Sequence, residues 1–348
     1  MTRNLPFISA ISAHLPERVE SNDYLAAESP SWQMDKVAGK TGIFSRRIAG
    51  TDETSVDLAC IAAEKLFAKR PSLRKSIDFL IFCTQTPDYI LPTSACIIQN
   101  RIGLSTSTGS IDINLGCSGY VYCLGLAKAL IESGQYNNIL IITADTYTKL
   151  IHPLDRSVRT LFGDGAAATV VSSGGDTASL HKPDLGSDGS GAPNLIVPLG
   201  GARQRTGDTT ERVDESGNHR TDANLFMNGQ EILMFTLKRV PSSVSTALEI
   251  AGWERGEIDL LVLHQASKLV LDTLAQRVGV PPERSWNGMA EIGNTVSSTI
   301  PIALRQALDA GALKPGMKVM LSGFGVGYSW GSMAIVWSPL FDQPIENG

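Results

Sequence analysis

The organisation of this sequence follows from one short segment, Ile111-Asp112-Ile113-Asn114-Leu115-Gly116-Cys117-Ser118-Gly119-Tyr120. The segment begins as an alternating strand, turns at a glycine and continues into a long apolar helix. This pattern predicts a thiol at the N-terminus of a helix, where the helix dipole and free N–H groups favour the nucleophilic thiolate. Taken alone, the segment leaves open a second interpretation, in which Cys117 is a small buried residue of an α/β core.

Composition and charge narrow the class of protein. The chain has 348 residues, enough for two domains or for one large duplicated fold. Its net charge of −5 argues against non-specific nucleic-acid binding. The five cysteines include no Cys-x-x-Cys pair, which disfavours a disulfide framework or a zinc site and favours a reducing compartment. Because we find no signal-peptide pattern and no apolar run of transmembrane length, we expect a soluble cytoplasmic protein without metal or membrane association.

The order of elements in the first half of the chain recurs in the second half. The apolar strand at 76–82 has a counterpart at 257–263, and Gly116-Cys117 before a helix has a counterpart in Gly293-Asn294. The strands that follow, at 138–143 and 163–171, correspond to 318–322 and 328–337. The sequence therefore predicts two copies of one βαβ-containing unit, whose strand ends face each other where α/β sheets bind ligands.

A polar segment separates the two halves. It covers roughly residues 180–222 and is rich in Gly, Asp, Ser and Arg. We interpret it as a partly ordered cap near the active site, because loops of this length are either functional or disordered. The predicted division is an N-terminal half at 1–175, a polar cap or linker at 176–225 and a C-terminal half at 226–348.

Within the first half, hydrophobic periodicity also predicts a strand at 5–13 and helices at 54–69 and 92–103, with Pro92 in the first turn of the latter.

Two further residues lie at matching positions of the repeat. His264 ends the strand that begins at 258, and Asn294 precedes the helix that corresponds to the helix after Cys117. A thiol, an imidazole and an amide at such positions form a candidate catalytic group. The structural alternatives are a half-buried histidine bonded to a backbone carbonyl and an asparagine in a turn or N-cap.

A second glycine-rich run covers residues 323–331, Gly-Phe-Gly-Val-Gly-Tyr-Ser-Trp-Gly. Glycines let the backbone approach a ligand and direct N–H groups at it, which suits an oxyanion hole shared with the N–H of Cys117. A tight hairpin is the alternative interpretation. Phosphate binding is disfavoured, because no Lys-Ser/Thr pair follows the glycines.

In order, these motifs resemble those of the β-ketoacyl-acyl-carrier-protein synthase III family, over nearly the whole chain. The matching motifs are Thr41-Gly42-Ile43, Pro92-Thr93-Ser94-Ala95-Cys96, Gly116-Cys117-Ser118-Gly119, Phe162-Gly163-Asp164-Gly165-Ala166, His264-Gln265-Ala266, Gly293-Asn294-Thr295 and the run from Gly323 to Ser332. The resemblance implies an α/β thiolase-like fold, duplicated into five αβαβα layers, and a homodimer. It also implies an acyltransferase of fatty acid biosynthesis with no permanently bound cofactor, whose substrates are thioesters of coenzyme A or of the phosphopantetheine of an acyl carrier protein.

The resemblance implies roles for single residues. Cys117 accepts the acyl group, and the backbone N–H groups of Cys117 and Val326 stabilise the oxyanion. His264 and Asn294 donate hydrogen bonds to the oxygen of a malonyl thioester as CO₂ leaves, because the resulting enolate needs uncharged donors. Phe324 resembles the family's gate between decarboxylation and condensation, with plain core packing as the alternative.

The chain departs from the family at the expected entrance for the thioester. Lys40 replaces the arginine of an Arg-Thr-Gly-Ile motif, and Trp32 is out of register for stacking on the adenine of coenzyme A. Arg156 matches the other side of that adenine site. These departures favour a donor delivered by an acidic carrier protein, which Lys268 and Arg277 would meet unless they are only solvated charges.

A further departure concerns the acyl pocket. Leu91 lies where family members with short acyl specificity carry a phenylalanine from the partner subunit. A smaller side chain at this position suggests a deeper pocket and a longer, branched or functionalised starter group.

Other functions remain open from the sequence. A thiolase-fold acyltransferase, or a specialised condensing enzyme of a secondary-metabolite or polysaccharide pathway, would also use Cys117. A Cys-His-Asn hydrolase is a different class, although the Cys-Gly-Ser-Cys-Trp context of papain-like enzymes is absent. A non-enzymatic scaffold would require an inert Cys117.

Overall fold

The structure is a computed structural model that describes residues 5–175, 179–338 and 341. The strands are β1 (Leu5–His14), β2 (Arg18–Ser21), β3 (Ser45–Ile48), β4 (Phe79–Cys83), β5 (Gly109–Ile113), β6 (Asn138–Asp145), β7 (Gly165–Gly175), β8 (Asp184–Ser187), β9 (Leu195–Ile196), β10 (Arg212–Val213), β11 (His219–Arg220), β12 (Phe226–Met227), β13 (Leu260–Leu263), β14 (Lys318–Gly325) and β15 (Ser329–Val336). The helices are α1 (Asn22–Glu28), α2 (Met34–Thr41), α3 (Ser55–Lys69), α4 (Ser72–Ser76), α5 (Ser94–Arg101), α6 (Gly119–Glu132), α7 (Arg156–Arg159), α8 (Gly229–Ala251), α9 (Lys268–Val278) and α10 (Thr299–Asp309). The predicted boundary at 176 and the chain ends at 1 and 348 lie outside the described residues.

Two sheets carry the repeat. The first has the strand order β1-β7-β6-β4-β5 and the second has the order β8-β15-β14-β13. In the first sheet β4 and β6 are parallel while β6 and β7 are antiparallel. In the second, β13 and β14 are parallel while β14 and β15 are antiparallel. The counterpart of β5 is reduced to one parallel bridge between Leu261 and Ser285. The predicted duplication is confirmed in strand order and direction.

Five layers follow from the burial of the helices. The buried side chains of α6 and α10 join those of β1, β4, β13 and β14 in one core between the sheets. Helices α3 and α5 cover the outer face of the first sheet, and α8 and α9 cover that of the second. Because both sheets are covered on both faces, their inner strands are mostly apolar, and all eight residues of β6 are buried. The fold is therefore the αβαβα thiolase-like fold that the resemblance implied.

Local capping explains where two predicted helices begin. Thr54 and Asp57 form a capping box at the start of α3, which confirms the predicted helix. The helix predicted at 92–103 begins at Ser94, so Pro92 lies before it and not in its first turn. The reason is Asp112 in β5, whose carboxylate accepts the N–H groups of Ser94 and Ala95 at 2.7 Å each. These contacts satisfy the free donors of the first turn.

The segment predicted as a cap or linker contains part of the second sheet. Strand β8 forms its edge and pairs antiparallel with β15. The polar sequence did not predict this strand, because an edge strand with one face towards solvent needs few apolar residues. After β8, Asn194 donates a hydrogen bond from Nδ2 to the Tyr328 hydroxyl at 2.7 Å, which ties this segment to the glycine-rich run. In the described parts of the chain, no helix has the length and apolarity that a membrane span requires.

Candidate active site

The thiol of Cys117 lies at the floor of a cavity of about 620 Å³. It occupies the turn between β5 and α6, as predicted, and is 6% exposed. His264, Asn294 and Phe324 line the same cavity. The fold thus brings together, from both halves, the three residues predicted as catalytic and the predicted gate.

The glycine-rich run holds its backbone against the nucleophile. A β-carbon at Gly325 would lie 2.8 Å from Sγ of Cys117, and one at Gly323 would lie 2.6 Å from the carbonyl oxygen of Cys117. Both positions therefore exclude any side chain. The hydroxyl groups of Ser118 and Ser329, 2.6 Å apart, join the two segments further.

The electrostatics of Cys117 correct one prediction. Burial raises the pKa of the Cys117 thiol to about 12, and the nearby Asp145 carboxylate also raises it. The backbone N–H groups of Cys117 and Val326 hydrogen-bond the sulfur and lower its pKa, but by less. The expectation of a favoured thiolate is wrong for this structure, because desolvation outweighs the helix terminus. The two N–H groups nevertheless converge beside Sγ, where an oxyanion hole requires them.

His264 and Asn294 form a neutral pair. The Nδ2 atom of Asn294 lies 3.4 Å from Nε2 of His264, and both side chains are buried. Burial lowers the pKa of His264 to about 3, so its imidazole is uncharged at neutral pH. The pair can therefore offer hydrogen bonds to a substrate oxygen without adding a charge to the cavity.

Two neighbouring groups orient this pair. Val296 donates its backbone N–H to Oδ1 of Asn294 at 3.0 Å, which leaves Nδ2 directed at His264. The Thr299 hydroxyl lies 2.7 Å from Nδ1 of His264 and 3.0 Å from the Val296 carbonyl. The hydroxyl has a single proton. Donated to the Val296 carbonyl, it leaves Oγ1 to accept from Nδ1–H, and donated to Nδ1, it leaves the imidazole proton on Nε2, so Thr299 governs which ring nitrogen can donate. Sequence reasoning missed Thr299, because its relation to His264 arises only in the folded chain.

The backbone of Asn294 is anchored to the first half. Its N–H donates to the Leu161 carbonyl at 2.8 Å, and its carbonyl accepts the N–H of Gly163 at 3.0 Å. Asp164 accepts the N–H of Ala49 at 2.7 Å and so fixes the next residue of this motif. The motif at 162–166 therefore positions Asn294 and does not itself line the reaction centre, apart from Phe162 on the cavity wall.

Hydrophobic side chains complete the cavity. Phe324 is 2% exposed, and its ring meets that of His264 edge-on, with 5.4 Å between centroids and 87° between planes. Leu195 also lines the cavity, together with Met227 and Ile232. Because Leu195 belongs to the segment predicted as a cap, that segment does reach the site.

The predicted entrance residues are not all at the cavity. Lys40 lines it, whereas Arg156, Lys268 and Arg277 do not. Lys268 pairs with Asp272 one turn further along α9. Arg277 donates from Nη1 to the Leu237 carbonyl of α8 at 3.0 Å, which is a structural contact between two helices.

Two further residues lie away from the cavity. Leu91 is 79% exposed and does not line the cavity of its own chain. Trp32 is 7% exposed and packs with Leu25 and Met34, with the Arg159 guanidinium 5.9 Å from its ring centroid. Trp32 thus offers no ring face at the entrance.

Among the described residues, no group of three His, Cys, Asp or Glu side chains is placed to hold a metal ion.

The duplicated five-layer fold, with a buried thiol opposite neutral hydrogen-bond donors, is that of the thiolase-type condensing enzymes. Comparison with known proteins narrows this class. A sequence profile described as 3-oxoacyl-acyl-carrier-protein synthase III matches residues 111–189, and the profile of the C-terminal part of the same enzyme matches residues 248–337. β-Ketoacyl-acyl-carrier-protein synthase III 3 of Streptomyces coelicolor is 33% identical over 95% of this chain and 96% of its own.

Solved structures agree with this result. A 3-oxoacyl-acyl-carrier-protein synthase III is 49% identical with a TM-score of 0.93, covering 95% of this chain and 99% of that one. The 3-oxoacyl-acyl-carrier-protein synthase of Burkholderia xenovorans LB400 is 35% identical with a TM-score of 0.88, covering 97% and 95%. The chain therefore belongs to the β-ketoacyl-acyl-carrier-protein synthase III family of acyl-transferring condensing enzymes, and the resemblance found in its motifs is confirmed.

Proposed function

We propose that this enzyme carries an acyl group on Cys117 and extends it with a malonyl thioester by decarboxylative Claisen condensation, giving a β-ketoacyl thioester. The observation that carries the proposal is the neutral pair His264 and Asn294, 3.4 Å apart, in the cavity that ends at Cys117. Uncharged donors suit an enolate that forms by loss of CO₂, because they stabilise its oxygen without binding the substrate carboxylate as a cation would.

Acylation is the first step. Sγ of Cys117 attacks the thioester carbonyl, its bond to carbon forms, and the bond from that carbon to the donor's sulfur breaks. The Cys117 proton leaves with the departing thiol, so the products carry the same total charge as the reactants. The N–H groups of Cys117 and Val326 stabilise the transient oxyanion, a role supported by their hydrogen bonds to Sγ.

Condensation is the second step. The thioester oxygen of the malonyl group accepts hydrogen bonds from Nε2–H of His264 and Nδ2–H of Asn294. The carbon–carbon bond to the carboxylate breaks and CO₂ leaves. The electron pair of that bond stays with the remaining thioester and forms the enolate. The enolate carbon attacks the acyl carbon, and the bond from that carbon to Sγ breaks. The sulfur leaves as a thiolate and takes a proton from water. An amide cannot act as a base, so Asn294 favours decarboxylation over proton abstraction as the source of the carbon nucleophile.

We infer that the acyl donor arrives on a carrier protein more readily than on coenzyme A. The support is the burial of Trp32 away from the entrance and the exposed Lys40 at the cavity. A cavity with apolar walls and a thiol at its floor fits a slender phosphopantetheine arm. Arg156 remains the one predicted adenine contact, so coenzyme A stays the second donor to test.

A homodimer and a cytoplasmic location complete the proposal. Tyr89, Ile90 and Leu91 are 61%, 78% and 79% exposed, and such consecutive apolar side chains mark an interaction surface. Strand β5 is the outermost strand of the first sheet in the described part of the chain, so its free edge supports pairing with a second copy. All five cysteines are free thiols, as a reducing compartment maintains them.

The proposal is tested by intact-mass measurement after exposure to acyl thioesters of coenzyme A and of acyl carrier protein, followed by malonyl-carrier protein. We expect a covalent acyl adduct that is absent in Cys117→Ala, then release of CO₂ and a β-ketoacyl product. An adduct that is passed to another acceptor without CO₂ would indicate a simple acyltransferase. Hydrolysis of the thioester with no condensation product would indicate a hydrolase.

A further inference from the structure

A buried carboxylate from the first half of the chain reaches the loop that carries Asn294. Asp145 is the last residue of β6 and is fully buried. One of its oxygens accepts the backbone N–H of Gln85 at 2.8 Å, just after β4. The other accepts two hydrogen bonds from Ser297, one from the hydroxyl at 2.5 Å and one from the backbone N–H at 3.2 Å. Asp145 thus joins the first sheet to a residue three positions after Asn294.

The loop that Asp145 holds contains a strained residue. Val296 precedes Ser297 and has a φ of 55°, in the left-handed region. A β-branched side chain rarely adopts this region, so the conformation persists only where neighbouring contacts hold it. The hydrogen bonds from Ser297 to Asp145 are such contacts on one side of Val296. On the other side, Asn294 donates its N–H to the Leu161 carbonyl at 2.8 Å. The first half of the chain therefore fixes the loop at both ends.

Both backbone groups of Val296 serve the neutral pair. Its N–H donates to Oδ1 of Asn294 at 3.0 Å. Its carbonyl oxygen lies 3.0 Å from the Thr299 hydroxyl, which lies 2.7 Å from Nδ1 of His264. A relaxed backbone at Val296 would withdraw the contact that orients the Asn294 amide and the contact that holds the Thr299 hydroxyl. The geometry of the pair therefore depends on the conformation of this one residue.

We propose that Asp145 is a positioning residue for decarboxylation, whose carboxylate holds the turn at Val296 that orients the neutral pair. The inference rests on the proposed function, because it concerns the step that this pair promotes. Each oxygen of Asp145 accepts a backbone N–H, and only a carboxylate offers acceptors on both sides. Asp145→Asn keeps the volume, but its NH₂ group would face one of the two N–H groups and remove one anchor.

The charge of Asp145 gives the proposal a signature that a general packing defect would lack. Burial raises the pKa of Asp145 to about 7, a rise that hydrogen bonds from Ser297, Gln85 and Thr84 limit. The pKa of the Cys117 thiol is raised by its burial and also by this carboxylate. Removal of the charge therefore makes the thiol more acidic while it loosens the loop. Acylation should not slow, whereas decarboxylation should.

The test measures these two steps separately. Intact mass follows acylation of Cys117 by acyl thioesters of coenzyme A and acyl carrier protein, and trapped CO₂ follows decarboxylation of malonyl-carrier protein. We expect Asp145→Asn to slow CO₂ release by about 10-fold to 100-fold, with acylation at or above the wild-type rate. Ser297→Ala removes the hydroxyl and keeps the N–H, so it should slow CO₂ release by only about threefold to tenfold. It also carries the test if circular dichroism shows that Asp145→Asn does not fold.

The matched control is Ser298→Ala, the same change at the next residue. The Ser298 hydroxyl is also buried, but it lies 2.9 Å from the Thr143 hydroxyl and donates to the Gly165 carbonyl at 3.1 Å, away from Asp145. Its ratio of CO₂ release to acylation should equal that of the wild type.

Two kinds of failure can be told apart. Equal loss of both steps in Asp145→Asn, or a ratio in Ser297→Ala no lower than in Ser298→Ala, would overturn the positioning role alone. A wild type that forms the acyl adduct and releases no CO₂ would overturn the proposed function, and the role of Asp145 with it.

Discussion

Asn294 and His264 meet with 3.4 Å between Nδ2 and Nε2, on the wall of the cavity whose floor is Cys117. Both donors come from the second copy of the repeat, and the thiol comes from the first. Under the proposed function, acyl transfer falls to the first half and stabilisation of the enolate to the second.

Asn294→Asp should separate the two steps. A carboxylate at this position repels the enolate oxygen that the amide stabilises, so CO₂ release should fall by about 10²-fold or more while acylation of Cys117 stays measurable. His264→Ala should act in the same way. Intact mass reports the adduct, and trapped CO₂ reports decarboxylation. The control is Asn287→Asp, the same change at an exposed residue. Equal loss of both steps would contradict the assigned roles.

Thr299→Val should slow decarboxylation, although Thr299 acts on His264 and not on the substrate itself. The hydroxyl lies 2.7 Å from Nδ1 of His264, and its removal ends control of which ring nitrogen carries the proton. We expect CO₂ release to fall by about 10-fold to 100-fold, as for other residues that orient a site residue, with acylation unchanged. Thr299→Ser keeps the hydroxyl and should restore the rate. A Thr299→Ser variant as slow as Thr299→Val would show that the loss of rate comes from changed packing and not from the missing hydroxyl.

Gly325→Ala should block acylation of Cys117. The added β-carbon would lie 2.8 Å from Sγ, so either the thiol or the glycine-rich run must move away from the oxyanion site. We expect a folded protein, by circular dichroism, whose adduct forms at least about 10²-fold more slowly. Gly189→Ala is the matched control, because its β-carbon would meet nothing within 4 Å. Normal acylation of the Gly325 variant would contradict the close packing described above.

The pH dependence of Cys117 alkylation tests its raised pKa. With a pKa of about 12, the thiolate fraction is small at neutral pH and rises about tenfold for each pH unit up to that value. The rate of iodoacetamide labelling at Cys117, followed by peptide mass, should therefore increase from pH 6 to pH 9 without reaching a plateau. The exposed Cys96 provides an internal comparison in the same digest. A plateau below pH 8 would support the thiolate expected from the helix terminus alone.

Much of the site was predictable from local sequence. Strand alternation around Ile111, the glycines near Cys117 and the motifs at His264 and Asn294 are patterns of a few adjacent residues. Such patterns specify strands, turns and exposed strand ends, and their recurrence specified the duplication. Strand β8 was not predicted, because its polar residues at the edge of a sheet show no such pattern.

The effects of burial and of long-range contacts could not be predicted from local sequence patterns. The proton on a thiol or an imidazole depends on how much water the whole fold removes, so the helix that should have favoured a thiolate at Cys117 was outweighed by desolvation. Thr299 and His264 are 35 positions apart, and Asp145 and Ser297 are 152 apart, so no local pattern joins them. Sequence was thus sufficient for the fold and the family, and it named the candidate residues that the fold brings to one cavity. Their protonation and their orientation depend on packing between segments distant in the chain.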